Sequence, residues 1–151
     1  MIAAVIAVVL AAVHPAASPP KLVHFKSPSG NINCLGQAAY AGSPAFVSCL
    51  VKSSTWTKAS KRPKPASCDV DWDPQTISIG NRKVSVGSCR GDIGPLCIDP
   101  ADPCFTLAYG RSVDIGPFRC ASTASGVTCR YKTAPRIGFL IARERYVLYH
   151  S

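Results

Sequence analysis

The chain has 151 residues, enough for one domain of ordinary size, and carries 17 Lys and Arg against eight Asp and Glu, a net charge of +9. Thirteen Pro and eleven Gly punctuate it so often that few windows hold room for a ten-residue helix, which argues against a helical fold. No apolar run reaches the roughly 20 residues of a bilayer-spanning helix.

The first run, Ile2 to Val13, is apolar and uncharged, and it leads into the helix-breaking, small-residue stretch His14-Pro-Ala-Ala-Ser-Pro-Pro20. That order reads as an export signal over residues 1–17, with cleavage between Ala12 and Ala17. Residues 18–24 then form a short linker, and residues 25–151 a single β domain. Charge is uneven along this mature part. The segment 18–68 holds seven bases and no acid, 69–114 holds four bases and seven acids, and 115–151 holds six bases and one acid. A cationic exported protein is drawn to anionic surfaces.

The predicted elements are strands. Leu22-Val-His-Phe-Lys26 alternates, Ser27-Pro-Ser-Gly30 is turn chemistry, and Asn31-Ile-Asn-Cys34 resumes an extended pattern. Ala45-Phe-Val-Ser-Cys-Leu-Val51 follows as a strand, and Lys52 to Pro65 as a basic loop. Val70-Asp-Trp72 is short and extended. Thr76-Ile-Ser-Ile-Gly80 and Lys83-Val-Ser-Val86 make a hairpin across a compact turn. Residues 91–103 read as a loop. Phe118-Arg-Cys-Ala121 and Gly126-Val-Thr-Cys-Arg-Tyr131 make a second hairpin. Gly138-Phe-Leu-Ile-Ala142 and Arg145-Tyr-Val-Leu-Tyr149 read as strands because Tyr, Val and Ile outweigh the helix-favouring Ala-Arg-Glu-Arg between them. Ser29-Gly-Asn-Ile-Asn-Cys34 and Ser125-Gly-Val-Thr-Cys129 echo one another, each a Ser-Gly turn feeding a strand that ends in Cys. The fold class is therefore all-β, a small antiparallel sheet or barrel-like arrangement of hairpins stapled by disulfides.

The eight cysteines, Cys34, Cys49, Cys68, Cys89, Cys97, Cys104, Cys120 and Cys129, all lie in the mature part. An even count behind an export signal reads as a disulfide framework, and the absence of any Cys-x-x-Cys pair speaks against a metal site. Eight cysteines allow about 105 pairings, so connectivity rests on local geometry. Opposed residues of an antiparallel hairpin come within disulfide reach, which favours 34–49 and 120–129, while 97–104 would staple the Asp-Pro-rich loop between them and 68–89 would clasp the hairpin of residues 76–86. Each such closure contributes roughly 3 kcal/mol through the unfolded chain.

Catalytic chemistry is sparse. His24 and His150 lie in no nucleophile motif, and His24 reads as a solvated-face or capping residue. Asp69, Asp71 and Asp73 share one strand face by period, but Pro74 stands where a calcium loop needs Gly, so a solvated polar face is the expectation. Asp92, Asp114 and Glu144 are conceivable acids for a hydrolase, with nothing to single out a pair. No catalytic residue, metal ligand or cofactor is assigned. The candidate binding residues are Lys52, Trp56, Lys58, Lys61, Arg62 and Lys64, a cationic loop with one aromatic suited to polyanions or membrane surfaces.

Phe25-Lys-Ser-Pro-Ser-Gly-Asn-Ile-Asn-Cys34, Cys68-Asp-Val-Asp-Trp72, Cys89-Arg-Gly-Asp92, Leu107-Ala-Tyr-Gly110 and Gly116-Pro-Phe-Arg-Cys120 occur in this order. With Ser125-Gly-Val-Thr-Cys129 and the 143–149 tail, they resemble a family of small exported actinobacterial proteins of uncharacterised function. The resemblance implies export and a disulfide framework, with Cys97 and Cys104 a local addition to the recurring set. It implies no activity. The expected function is a secreted, non-enzymatic binding or envelope-associated role. The expected partner is an anionic envelope polymer, a membrane surface or a protein, with no specific nucleic acid. A small secreted hydrolase or hydrolase inhibitor is the alternative.

Overall fold

Short period-two runs between Gly and Pro breaks become strands wherever one face finds an apolar layer to cover it. The computed structural model describes residues 21–56, 62–98 and 103–150; the expected export signal, Lys58 and Lys61 lie outside them. Strands β1 (Val23–Lys26), β2 (Ile32–Gln37), β3 (Phe46–Val51), β4 (Asp71–Gly80), β5 (Lys83–Arg90) and β6 (Cys104–Thr106) form one sheet in the order β5-β4-β3-β2-β1-β6. The second sheet, in the order β11-β10-β9-β8-β7, consists of β7 (Ser112–Ile115), β8 (Phe118–Thr123), β9 (Gly126–Tyr131), β10 (Gly138–Ile141) and β11 (Tyr146–Tyr149). Neighbours pair antiparallel except β1 and β6, which run parallel. The fold is all-β, as the sequence implies. The two sheets stay open and share one buried apolar cluster, so the barrel-like form of that expectation gives way to two open sheets.

The chain crosses between sheets at 107–111. Leu107 N–H donates to the Lys26 carbonyl of the first sheet, and Gly110 N–H donates to the Ser122 carbonyl of the second, at 2.9 and 2.8 Å. This crossing, not a closing hydrogen-bond ladder, joins the layers.

One row of paired residues runs across each sheet. In the first, Phe25, Cys34, Cys49, Ile77 and Val86 stand opposite one another in succession. In the second, Val113, Cys120, Cys129, Phe139 and Leu148 do the same. Cys34–Cys49 and Cys120–Cys129 are therefore cross-strand bridges, each with Cα atoms 4.1 Å apart. Cys68–Cys89 joins the lead into β4 to the end of β5, and Cys97–Cys104 closes the loop before β6. The first two pairs are opposed on neighbouring strands; the other two join cysteines that are neighbours in chain order.

The hairpin of β4 and β5 turns at Asn81 and Arg82, both with positive φ (48° and 57°), as a two-residue turn requires. Arg82 is an unusual occupant of that region. Its N–H donates to Tyr131 Oη at 2.8 Å, tying the turn to the other sheet. Strand β4 extends further back than expected, to Asp71. The register shift between Asp73 and Ile77 takes Pro74, which has no N–H to donate, out of the ladder. Strands β6 and β7, of three and four residues, carry too little pattern to be read from sequence.

Candidate binding cleft

Turns that leave the two sheets at one end line a cleft of about 450 Å³. The β1–β2 turn is built by Ser27, whose carbonyl accepts from Gly30 N–H at 2.8 Å and whose Oγ accepts from Ile32 N–H at 3.1 Å. Gly30 takes φ 69°, which a glycine adopts without steric cost. The β8–β9 turn repeats the design: Thr123 Oγ1 accepts from Ser125 N–H at 3.2 Å, and Gly126 has φ 128°. The echo between Ser29-Gly30 and Ser125-Gly126 thus ends at one place, on two sheets.

The exit of β3 is fastened to the first turn by Asn31. Its Oδ1 accepts from Ser53 N–H at 2.9 Å, and its Nδ2 donates to the Ser53 carbonyl at 3.0 Å. The β10–β11 turn is fastened to the same exit, because Thr55 N–H donates to the Arg143 carbonyl at 3.0 Å. Ser27, Ser29, Asn31 and Thr123 are therefore committed to holding the walls. Ser53, Tyr109, Ser125, Arg143 and Glu144 also line the cleft, are exposed, and have side chains with no hydrogen bond or ion pair to the described residues. Tyr109 is 50% exposed, an aromatic face with a hydroxyl tip.

The basic segment is anchored beside this cleft. Trp56 is 8% exposed, and its Nε1–H donates to the Ala142 carbonyl at 2.9 Å. Its ring meets Tyr146 edge-on, with centroids 4.8 Å apart. Arg62 lies over the same Tyr146 ring at 5.5 Å and donates to its hydroxyl, while the Arg62 carbonyl accepts from Trp72 Nε1–H at 3.2 Å. Trp56 and Arg62 both contact the C-terminal hairpin, Trp56 through Ala142 and Tyr146 and Arg62 through Tyr146. Lys52 and Lys64 are exposed. Thr55, Trp56 and Arg62 thus contact the hairpin whose turn bears Arg143 and Arg145.

The other candidates lie apart. Asp92 Oδ1 accepts from Gly94 N–H at 2.9 Å, capping its own loop. Asp114 accepts two hydrogen bonds from Arg119, at 2.7 and 3.0 Å, on the outer face of the second sheet. That guanidinium holds the Asp114 carboxyl below its ordinary value, and Asp114 in turn raises Arg119. Of the three acids, Glu144 alone lines the cleft. Asp73 is turned inward rather than left on a solvated face: it accepts from Gln75 N–H, Thr76 Oγ1 and Arg90. The Arg90 side chain is 14% exposed in that ion pair, so Arg90-Gly-Asp92 presents no free arginine.

His24 also departs from a solvated or capping role. It is 4% exposed, and Nε2 donates to the Pro95 carbonyl at 2.8 Å, because loop 91–98 covers β1. His24, Cys97 and Cys104 form the one cluster of metal-ligand side chains among the described residues, and both of its sulfurs are bound to each other in a disulfide. Tyr109 lies in the block Leu107-Ala-Tyr-Gly110 and Arg143 opens the 143–149 tail, but those blocks point to a family and not to a ligand, and Ser53 lies in neither. The repeated Ser-Gly turn is the signal that leads to their shared neighbourhood.

Over residues 4–149 the sequence matches the family described as Family of unknown function (DUF6636). No curated protein and no solved structure matches it.

Proposed function

The chain belongs to the DUF6636 family, a family of unknown function, and we propose that it is an exported binding module that holds an anionic, hydroxyl-bearing polymer of the cell envelope in its end cleft. The carrying observation is the division of labour in that cleft. Ser27, Asn31 and Thr123 build the walls, while Ser53, Tyr109, Ser125, Arg143 and Glu144 stay available to a ligand. Turns displayed at the end of a rigid two-sheet scaffold are a common way to present a binding surface.

The chemistry of the lining suits such a polymer. Hydroxyls donate to and accept from sugar-type hydroxyls, the Glu144 carboxylate accepts from them, and an exposed Tyr offers a flat face to a ring. Arg143 pairs with phosphate or carboxylate groups in a forked geometry. Lys52 and Arg145, exposed and next in sequence to the lining residues Ser53 and Glu144, add positive charge. Binding is preferred to hydrolysis because Glu144 is the one carboxylate that lines the cleft, and sugar hydrolysis generally needs two. Four disulfides fit a module that keeps its shape in an oxidising exterior.

Co-sedimentation of the mature protein with isolated cell envelopes tests this reading. The protein is expected in the pellet at low salt and in the supernatant at about 0.5 M salt, as screened electrostatic contacts require. Arg143→Gln should lower the bound fraction several-fold. Pelleting that ignores both salt and Arg143→Gln overturns the proposal.

A further inference from the structure

The outer face of the second sheet carries a row of paired residues: Asp114, Arg119, Arg130, Gly138 and Tyr149, one from each strand in succession. Arg119 and Arg130 therefore stand directly opposite each other on β8 and β9. Like charges in that relation are destabilising unless something answers them. Asp114 answers Arg119 from one side and lies 3.7 Å from Lys132 Nζ. Arg130 stacks 3.7 Å over the Tyr149 ring, across Gly138, and donates to the Pro135 carbonyl at 2.9 Å. Tyr149 and Pro135 orient that guanidinium but give it no negative charge. Three cations thus share one carboxylate.

Between them lies a trough of about 420 Å³, with Ala121 and Thr128 among its lining residues beside Arg119, Arg130 and Lys132. Small side chains at Ala121 and Thr128 leave room above the sheet, and the cations fence that room. We propose that this trough is a second binding site, separate from the end cleft, that takes a phosphate group between Arg119, Arg130 and Lys132. The phosphate completes the charge balance that Asp114 supplies in part. Three oxygens accept from the two guanidinium forks and the ammonium, while Thr128 Oγ1 is placed on the floor beneath. The volume exceeds what a bare ion fills and lies within the range of small-molecule sites, so a phosphate ester of a small polyol fits better than the free ion.

Asp114 distinguishes this site from a merely stabilising charge network. It competes with the ligand for Arg119 and Lys132, so removing its charge frees both for phosphate. Calorimetric titration of the mature protein at low salt, with inorganic phosphate in one series and glycerol 3-phosphate in another, reads the effect. Backbone amide shifts locate the ligand. One saturable site is expected, with shifts along β7 to β9. Arg119→Gln and Arg130→Gln should each weaken binding about tenfold or more, the loss of charged hydrogen bonds. Asp114→Asn should tighten it several-fold. Tighter binding of the ester identifies a phosphorylated polyol, and equal binding identifies the free ion. A titration that does not saturate, shifts spread over all surface cations, or Asp114→Asn that fails to tighten binding overturns the proposal. Loss of envelope binding through Arg143 leaves this site untouched, because no residue of the trough lines the end cleft.

Discussion

Cys49 Sγ lies 4.0 Å from Cys129 Sγ, so the two buried cross-strand disulfides touch where the sheets face each other. Each bridge lies at the middle of its own row, and the contact between rows is sulfur on sulfur. Cys34, Cys49, Cys120 and Cys129 are all fully buried. The bridges therefore restrain the unfolded chain and also fill the centre of a small core.

Replacing Cys120 and Cys129 together by Ala should cost about 3 kcal/mol from loop closure, with a further cavity term. Removing Cys34 and Cys49 should cost a similar amount. Because the pairs touch, the fourfold variant should depart from additivity by about 0.5 kcal/mol or more. Urea denaturation of the three variants measures this, and strict additivity would show that the contact carries no energy.

Trp56→Phe should destabilise the protein by about 1–2 kcal/mol. The Ala142 carbonyl loses its indole donor, and the edge-on contact with Tyr146 is weakened. Thermal unfolding measures the loss. No loss of stability would mean that the residue is free for ligands after all.

Gly138→Ala should be more damaging. A Cβ there would meet the Cys129 carbonyl oxygen at 2.3 Å and Arg130 Cγ at 2.7 Å. Neither can be relieved without moving β9 or lifting Arg130 from Tyr149. A loss of about 2 kcal/mol or more is expected from such overpacking, read from the urea midpoint.

Acid should release the Asp114 contribution. The folded-state pKa of Asp114 is lowered from 3.8, chiefly by hydrogen bonding to Arg119. A depressed carboxylate stabilises the fold above its ordinary pKa, and that stabilisation disappears as pH falls through the folded value. The difference in urea midpoint between the protein and Asp114→Asn should therefore be present at pH 7 and shrink as pH falls below 3.8 and through the lowered folded-state value. It should also shrink in 1 M salt, because the pair is exposed. A difference that persists in acid contradicts this account.

The hairpins were legible because period-two patterns and Gly-Asn-Arg or Ser-Gly turns are local signals. The pairs Cys34–Cys49 and Cys120–Cys129 followed from them, since opposed residues on adjacent strands need no long-range information, and Cys68–Cys89 and Cys97–Cys104 join cysteines that are neighbours in chain order. The face-to-face sheets were not legible, because they depend on the short crossing at 107–111 and on strands as brief as Cys104–Thr106. Burial of His24 and the ion pair of Asp73 were hidden for a similar reason: their partners, Pro95 and Arg90, come from a loop and a strand further along the chain. The basic loop was visible as charge, but the destination of Trp56 at Ala142, 86 residues away, was not. The cleft is assembled from separate turns, so its ligand-facing side chains leave no contiguous motif.

The proposed function places an anionic envelope polymer in the end cleft, and not on the basic loop by itself. Backbone amide shift mapping during titration with a soluble fragment of that polymer tests it most directly. The account predicts saturable shifts concentrated at residues 27–31, 52–55, 109, 123–126 and 142–145, and their loss in Tyr109→Ala and Arg143→Gln. Shifts confined to the exposed lysines, with those turns unmoved, would contradict it.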